Sequence, residues 1–100
     1  MADHKGYEIV ELARKSGKIK KGTNEVTKFL ERGTAKAVIY AADVNPKEIV
    51  MHLPLLAKEK GILCIEVPSK EELGAAAGLT KPTAAVVVID AGDAKNMIKE

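Results

Sequence analysis

The stretch AVIYAADVNPKEIVMHLPLLAKEKGILCIEV, Ala37 to Val67, decides the architecture. It opens on a short apolar run, Ala37-Val38-Ile39-Tyr40-Ala41, and closes on a second, Ile62 to Val67. Continuous apolar runs of this length read as strands buried on both faces, because a strand with one wet face alternates instead. Between them, Asn45-Pro46 forms a helix start: an N-cap side chain, then a proline where the missing N–H costs nothing. His52-Leu53-Pro54 reads as an interruption, with another helix running from there to Gly61.

Upstream, Tyr7, Val10 and Ala13, flanked by Ile9 and Leu12, give a helical apolar face that stops at a Ser16-Gly17 cap. Gly22-Thr23 opens a second helix, in which Val26, Phe29 and Leu30 form an i, i+3, i+4 stripe and Gly33 is the stop. The four residues Lys18 to Lys21 add an edge strand. Downstream, Ser69 precedes Glu72 at capping-box spacing and Gly78 ends the helix they open. Ala84 to Ile89 is a third apolar strand, and Asp93 caps a last helix. Gly74 and Gly78, four apart, predict close helix–sheet packing. The fold class that follows is α/β: a three-layer α/β/α sandwich around a small mixed sheet of about four strands, with residues 1–100 as one domain.

Composition narrows the function. With 46% hydrophobic and 30% charged residues the chain has the balance of a folded soluble protein, and only three residues are aromatic, so Ile, Val, Leu and Ala must build the core. No apolar run reaches a membrane span, and Met1-Ala2-Asp3-His4-Lys5 is not a signal peptide. Cys64 stands alone in an apolar run, which excludes an internal disulfide and suits a reducing compartment; a cytoplasmic location is expected. His4, His52 and Cys64 make no metal signature. Glu71 and Glu72, adjacent on a helix, diverge by about 100° and cannot act as a carboxylate pair. Lys21-Gly22-Thr23 lacks the frame of a phosphate loop. No enzyme, cofactor or metal is expected.

The net charge of +2 conceals an asymmetry. From Arg14 to Lys36 there are eight basic residues (Arg14, Lys15, Lys18, Lys20, Lys21, Lys28, Arg32, Lys36) against Glu25 and Glu31, leaving the rest of the chain net acidic. A basic block on an otherwise mildly acidic molecule is the footprint of an anion-binding face, although a lysine-rich solvated surface has the same composition. On the second helix, with Asn24 at zero, Lys28 falls near 40°, Arg32 near 80° and Glu25 near 100°, against about 140°, 200° and 240° for Phe29, Val26 and Leu30. One side is core; the other gathers an amide, a carboxylate and two cations that can hydrogen-bond guanine edges. The N–H groups around Gly22, Thr23 and Asn24 add a helix N-terminus that favours phosphate. A plain exposed face with a Glu25–Lys28 pair is the competing reading.

Lys-Lys-Gly-Thr-Asn-Glu-Val-Thr-Lys, Lys20 to Lys28, resembles the signature of the kink-turn-binding ribosomal proteins, the archaeal L-seven-Ae family with its relatives in box C/D small ribonucleoproteins. The resemblance continues through Glu31-Arg32-Gly33, Ala41-Ala42-Asp43-Val44-Asn45-Pro46, Glu48-Ile49-Val50 and His52-Leu53-Pro54-Leu55-Leu56. It extends to Ser69-Lys70, Leu73-Gly74 and Gly78-Leu79-Thr80-Lys81-Pro82, nearly the whole chain. It implies a non-catalytic RNA-binding protein that stabilises kink-turns, motifs in which a bulge separates a regular stem from one with tandem sheared G·A pairs. Carried over, Asn24, Glu25 and Lys28 contact the guanines, while Lys21, Gly22, Thr23 and Arg32 hold phosphates. The loop Leu79-Thr80-Lys81-Pro82 covers an unstacked bulge nucleotide, with Asn45, Ile49, Lys70 and Lys81 around its base. Relatives usually carry an acid at the position of Asn45, and many archaeal ones an apolar residue at that of Lys81.

The partners implied are ribosomal RNA, box C/D or H/ACA guide RNA or ribonuclease P RNA, and the ribonucleoprotein proteins that assemble on them. No membrane partner is expected, and the chain is expected to be monomeric without RNA. Two alternatives stand beside this reading: a scaffold domain of the same fold with a lapsed RNA face, and a sister large-subunit ribosomal family that shares the Asp90-Ala91-Gly92-Asp93 style of ending.

Overall fold

The computed structural model describes residues 2–44, 48–90 and 92. Among the described residues, four strands, β1 (Lys18–Lys21), β2 (Ala37–Ala41), β3 (Leu63–Val67) and β4 (Ala85–Asp90), alternate with four helices. These are α1 (Ala2–Ser16), α2 (Thr23–Arg32), α3 (Glu48–Lys60) and α4 (Lys70–Ala76). The strands hydrogen-bond in the order β1-β4-β2-β3. β2 and β3 are parallel and joined over the sheet by α3; β4 runs antiparallel to β1 and β2, so the sheet is mixed. β1 is the edge strand its lysines suggest, and lysines on an open edge also discourage pairing with another sheet.

Helix α1 packs with α4 and α2 with α3, one pair on each face. Gly6 of α1 lies directly over Ile39, Ile65 and Val67, so by strand alternation Val38 and Cys64 turn to the other face. There Val26, Leu30, Leu53 and Ala57 are fully buried. Val38, Ile39, Val86, Val87 and Val88 have no exposed surface at all, the doubly covered condition that their unbroken apolar runs require. The three-layer α/β/α sandwich expected from the sequence is therefore present.

Four expectations need correction. Pro54 does not break a helix: α3 runs without interruption from Glu48 to Lys60. The missing proline N–H and ring clash cost about 3 kcal/mol in a helix interior. Leu53 and Ala57, i and i+4, are both fully buried against the sheet, and about 2 kcal/mol for Leu53 alone goes far to offset that cost. β3 is not buried on both faces: it ends the strand order opposite β1, with Leu63, Cys64 and Ile65 half-buried and Glu66 exposed. Gly17 follows α1 at the expected stop, but its φ is not left-handed. It is small because a Cβ would collide with the Asp90 carbonyl, where the β1 entrance crosses the end of β4. Gly74 packs not on the sheet but against the Lys81 carbonyl. The proposed helix start at Asn45-Pro46 and the last helix after Asp93 lie outside the described residues.

The register puts the termini that matter at one end of the sheet. Tyr40 pairs with Ala85, Ala41 with Val67 and Lys21 with Val86. Here β1, β2 and β3 finish and β4 begins, so the start of α2, the segment after β2, the start of α4 and the loop before β4 gather on one rim. In sheets with parallel strands, this carboxyl-end rim is where ligands bind.

Candidate nucleic-acid interface

Gly22 makes the junction between β1 and α2. Its φ of 97° and ψ of 142° lie where only glycine is comfortable, and the chain turns there from strand into helix. The Gly22 N–H donates to the Ala85 carbonyl (3.0 Å) and its own carbonyl accepts from Val26 N–H (2.9 Å). This corrects the sequence reading, which counted the Gly22 N–H among the outward donors: it is spent on β4. The N–H groups of Thr23, Asn24 and Glu25 have no carbonyl one turn back within the helix and form its positive end. Gly33 closes α2 in the left-handed conformation (φ 73°), its N–H and that of Thr34 bonding Leu30 and Phe29 carbonyls.

The polar face of α2 is as the helical spacing predicts. Val26 and Leu30 are buried while Asn24, Glu25, Lys28 and Arg32 are exposed. Among the described residues, the Asn24, Glu25 and Lys28 side chains make no hydrogen bond or ion pair within the protein. The competing Glu25–Lys28 pair is therefore not formed, and three polar groups of different character are left available on one rim. Arg32, two turns on, lies 6.0 Å from the centre of the Phe29 ring, a cation–π distance.

Two open grooves flank this rim. Thr23, Asn24, Thr27, Lys28, Glu31 and His52 line one of about 470 Å³ between α2 and α3. Lys21 and Gly22 face Leu79, Thr80, Lys81, Pro82 and Thr83 across another of about 420 Å³. The structure thus brings Lys21 and Gly22, 57 or more residues away in sequence, against the whole 79–82 loop. The loop is held from below: the Leu79 N–H bonds the Gly74 carbonyl (2.9 Å), and Gly74 has no side chain to hold Lys81 off.

Lys70 begins α4 and belongs to the same rim. Its N–H donates to Asp43 Oδ1 (2.9 Å) and its carbonyl accepts from Thr83 N–H (3.2 Å). Ser69 accepts from Glu72 N–H (3.2 Å), the serine half of the expected capping box. Asn45 falls outside the described residues. Ile49 lies in the first turn of α3, and the position of its side chain is not among the described features.

Sequence reasoning missed Thr27, His52 and Asp43. Thr27 Oγ1 donates its one proton to the Thr23 carbonyl (2.8 Å), so at 2.7 Å from His52 Nε2 it must accept, and the imidazole carries a proton on Nε2. This ties α3 to the first turn of α2. Nothing in the sequence pairs residues 25 apart, and a histidine two residues before a proline gave no hint. Asp43 could have been read as a helix-capping acid only once β2 and α4 were known to meet. On the other side of α3, Met51 and Leu55 are exposed beside Tyr40 and Glu66. Among the described residues, no three His, Cys, Asp or Glu side chains cluster as a metal site, and no helix is long and apolar enough to cross a membrane.

Comparison with known proteins gives a consistent picture. The chain is 55% identical over 93 residues to the large ribosomal subunit protein eL8 of Methanobrevibacter smithii, covering 93% of this chain and 76% of that one. Among solved structures, the 15.5kD RNA binding protein of Giardia lamblia superposes with a TM-score of 0.89 at 34% identity, over 97% of this chain and 81% of that one. The profile of the ribosomal protein L7Ae/L30e/S12e/Gadd45 family matches residues 4–98, and the chain belongs to that family.

Proposed function

We propose that this protein is a non-catalytic RNA-binding protein, one domain over residues 1–100, that recognises and stabilises kink-turns and so nucleates ribonucleoprotein assembly. The observation that carries the reading is the rim itself. Uncommitted Asn24, Glu25 and Lys28 stand beside a groove in which Lys21 and Gly22 face the 79–82 loop. A straight A-form duplex offers side chains little besides backbone and 2′-hydroxyls. A bent duplex with sheared G·A pairs presents guanine O6, N7 and N1 edges to the α2 face and an unstacked base to the loop.

Work divides by chemistry. Lys28 donates to guanine O6 or N7, Glu25 accepts from N1–H or N2–H, and Asn24 does both. Lys21, Arg32 and the N–H groups of Gly22's neighbour Thr23 and of Asn24 hold phosphates, the lysine and arginine contributing salt-sensitive affinity. By the family resemblance, Asn45, Ile49, Lys70 and Lys81 are assigned to the unstacked base and Leu79, Thr80 and Pro82 to its cover. Because only the bent RNA meets both sets, binding shifts RNA from extended to bent.

The Methanobrevibacter relative's name supports ribosomal RNA as a target and the cytoplasmic ribosome as a location; the Giardia relative's supports RNA binding more broadly. Box C/D and H/ACA guide RNAs and ribonuclease P RNA are further targets, with the proteins that assemble on them as partners.

Calorimetric titration of Lys28→Ala against a kink-turn oligonucleotide and a G·A-disrupted control tests this. The loss should be about 1–3 kcal/mol on the intact motif and much smaller on the control. Equal losses on both, or a wild-type protein that binds a straight duplex as tightly, would refute the guanine contacts.

A further inference from the structure

We propose that Arg14 is a positioning residue for the loop Leu79 to Pro82, and through it sets the hold on the unstacked nucleotide while leaving the guanine contacts alone. The proposal deepens the kink-turn reading and rests on it for its RNA arm. By composition Arg14 is one more member of the basic block. Its guanidinium is committed elsewhere: Nε–H donates to the carbonyl of Ala76, the last residue of α4 and 62 positions away, at 3.2 Å. The side chain lies along the backbone of Gly78, where a Cβ would come within 2.7 Å of Arg14 Cδ and 3.0 Å of Nε.

The loop departs from this point. Ala77 caps α4, Gly78 turns left-handed at φ 79°, and its N–H bonds the Ala75 carbonyl at 3.0 Å. Leu79 N–H then bonds the Gly74 carbonyl, and the Lys81 carbonyl rests on the bare Cα of Gly74. Each of these attachments is to α4, a helix of seven residues. So short a helix has little stability of its own, and its C-terminal carbonyls need partners. α4 has no basic residue in its last turn. Arg14, reaching over from α1, supplies the donor and the positive charge that end requires. The loop is thereby referenced to α1 and the sheet rather than to a fraying helix end. Gly22 and the α2 face are fixed separately, through Ala85 and the core stripe. The two halves of the RNA face thus have different supports.

The test uses the full chain and two kink-turn oligonucleotides, one intact and one abasic at the unstacked position. Arg14→Gln should weaken binding to the intact RNA by about 3–10-fold, the scale of one charged hydrogen bond partly realised through a population of seated loop. Binding to the abasic RNA should change less than about 2-fold on the same reasoning. In the free protein, exchange of the Leu79 amide should speed up while that of Val87 in β4 does not. Arg14→Lys, which keeps a positive charge near the end of α4 but not the Nε–H, should fall between wild type and Arg14→Gln. Equal losses on both RNAs, wild-type behaviour of Arg14→Lys, or unchanged Leu79 protection would overturn the proposal. Because the exchange measurement needs no RNA, failure of Arg14 to hold the loop is separable from failure of the kink-turn reading, which would show as a wild-type protein indifferent to the kink.

Discussion

Replacing Gly22 by alanine isolates the strand-to-helix junction that aims α2. A Cβ at this position would meet nothing within 4 Å, so sterics with neighbours contribute no penalty. What remains is the backbone: φ 97° with ψ 142° is close to a region that is essentially glycine-only and costs an L residue about 1–3 kcal/mol. Alanine also has fewer unfolded conformations to lose, which returns about 0.4–1 kcal/mol. The expected net loss is about 1–2 kcal/mol, or about 5–10 °C in Tm for a chain of this size. Relaxing φ instead would sacrifice the Gly22–Ala85 and Val26–Gly22 hydrogen bonds, at a similar cost, and would turn Lys21 and Thr23 off the rim. Urea unfolding of Gly22→Ala measures the loss. A synthetic chain carrying D-alanine at position 22 supplies the control, because the D residue favours positive φ and should be more stable than the L-alanine chain. An L-alanine variant as stable as wild type, or a D-alanine chain no better than the L, would refute the claim that this junction is held in a conformation that excludes L side chains.

Two further outcomes follow from the fold. Burial, with Glu66 nearby, pushes the Cys64 thiol up to about 11. Alkylation by iodoacetamide at pH 8 should therefore run on the order of 100-fold slower than for an ordinary cysteine, since the thiolate is the nucleophile. The same shift makes the thiol's contribution to stability complete below the ordinary value of 9.0 and lost as pH rises towards about 11. Rapid alkylation at neutral pH would contradict a shielded thiol. Pro54→Ala should raise stability by about 1–3 kcal/mol in urea unfolding, because the helix is already continuous and alanine restores one backbone hydrogen bond. A destabilised variant would mean that the half-buried ring contributes more packing than the lost bond costs.

How much of this was legible in the sequence depends on the range of the interaction. The strands 37–41, 63–67 and 85–90 and the amphipathic second helix are local signals, read from apolar runs and a stripe of Val26, Phe29 and Leu30, and they appear within a residue or two of the expected places. Pro54 misled because propensity is a local cost and the burial of Leu53 and Ala57 that opposes it is tertiary. The glycines show the same division. Gly22 and Gly33 act through their own φ, which spacing and neighbours announce; Gly17 and Gly74 act through what crosses them, Asp90 and Lys81, which no local pattern reveals. The polar face of α2 could be read directly, but its relation to the 79–82 loop could not be derived from periodicity and came only from resemblance. The register explains that relation physically. Once Lys21 pairs with Val86 and Tyr40 with Ala85, the turn into α2 and the turn into β4 must emerge side by side, because both chains cross the same row of hydrogen bonds. The groove between them is thus a consequence of strand order. A one-residue slip of β1 on β4 would turn Ile19 to the opposite face and displace Gly22 from Ala85, so the fold and the candidate interface depend on the same register.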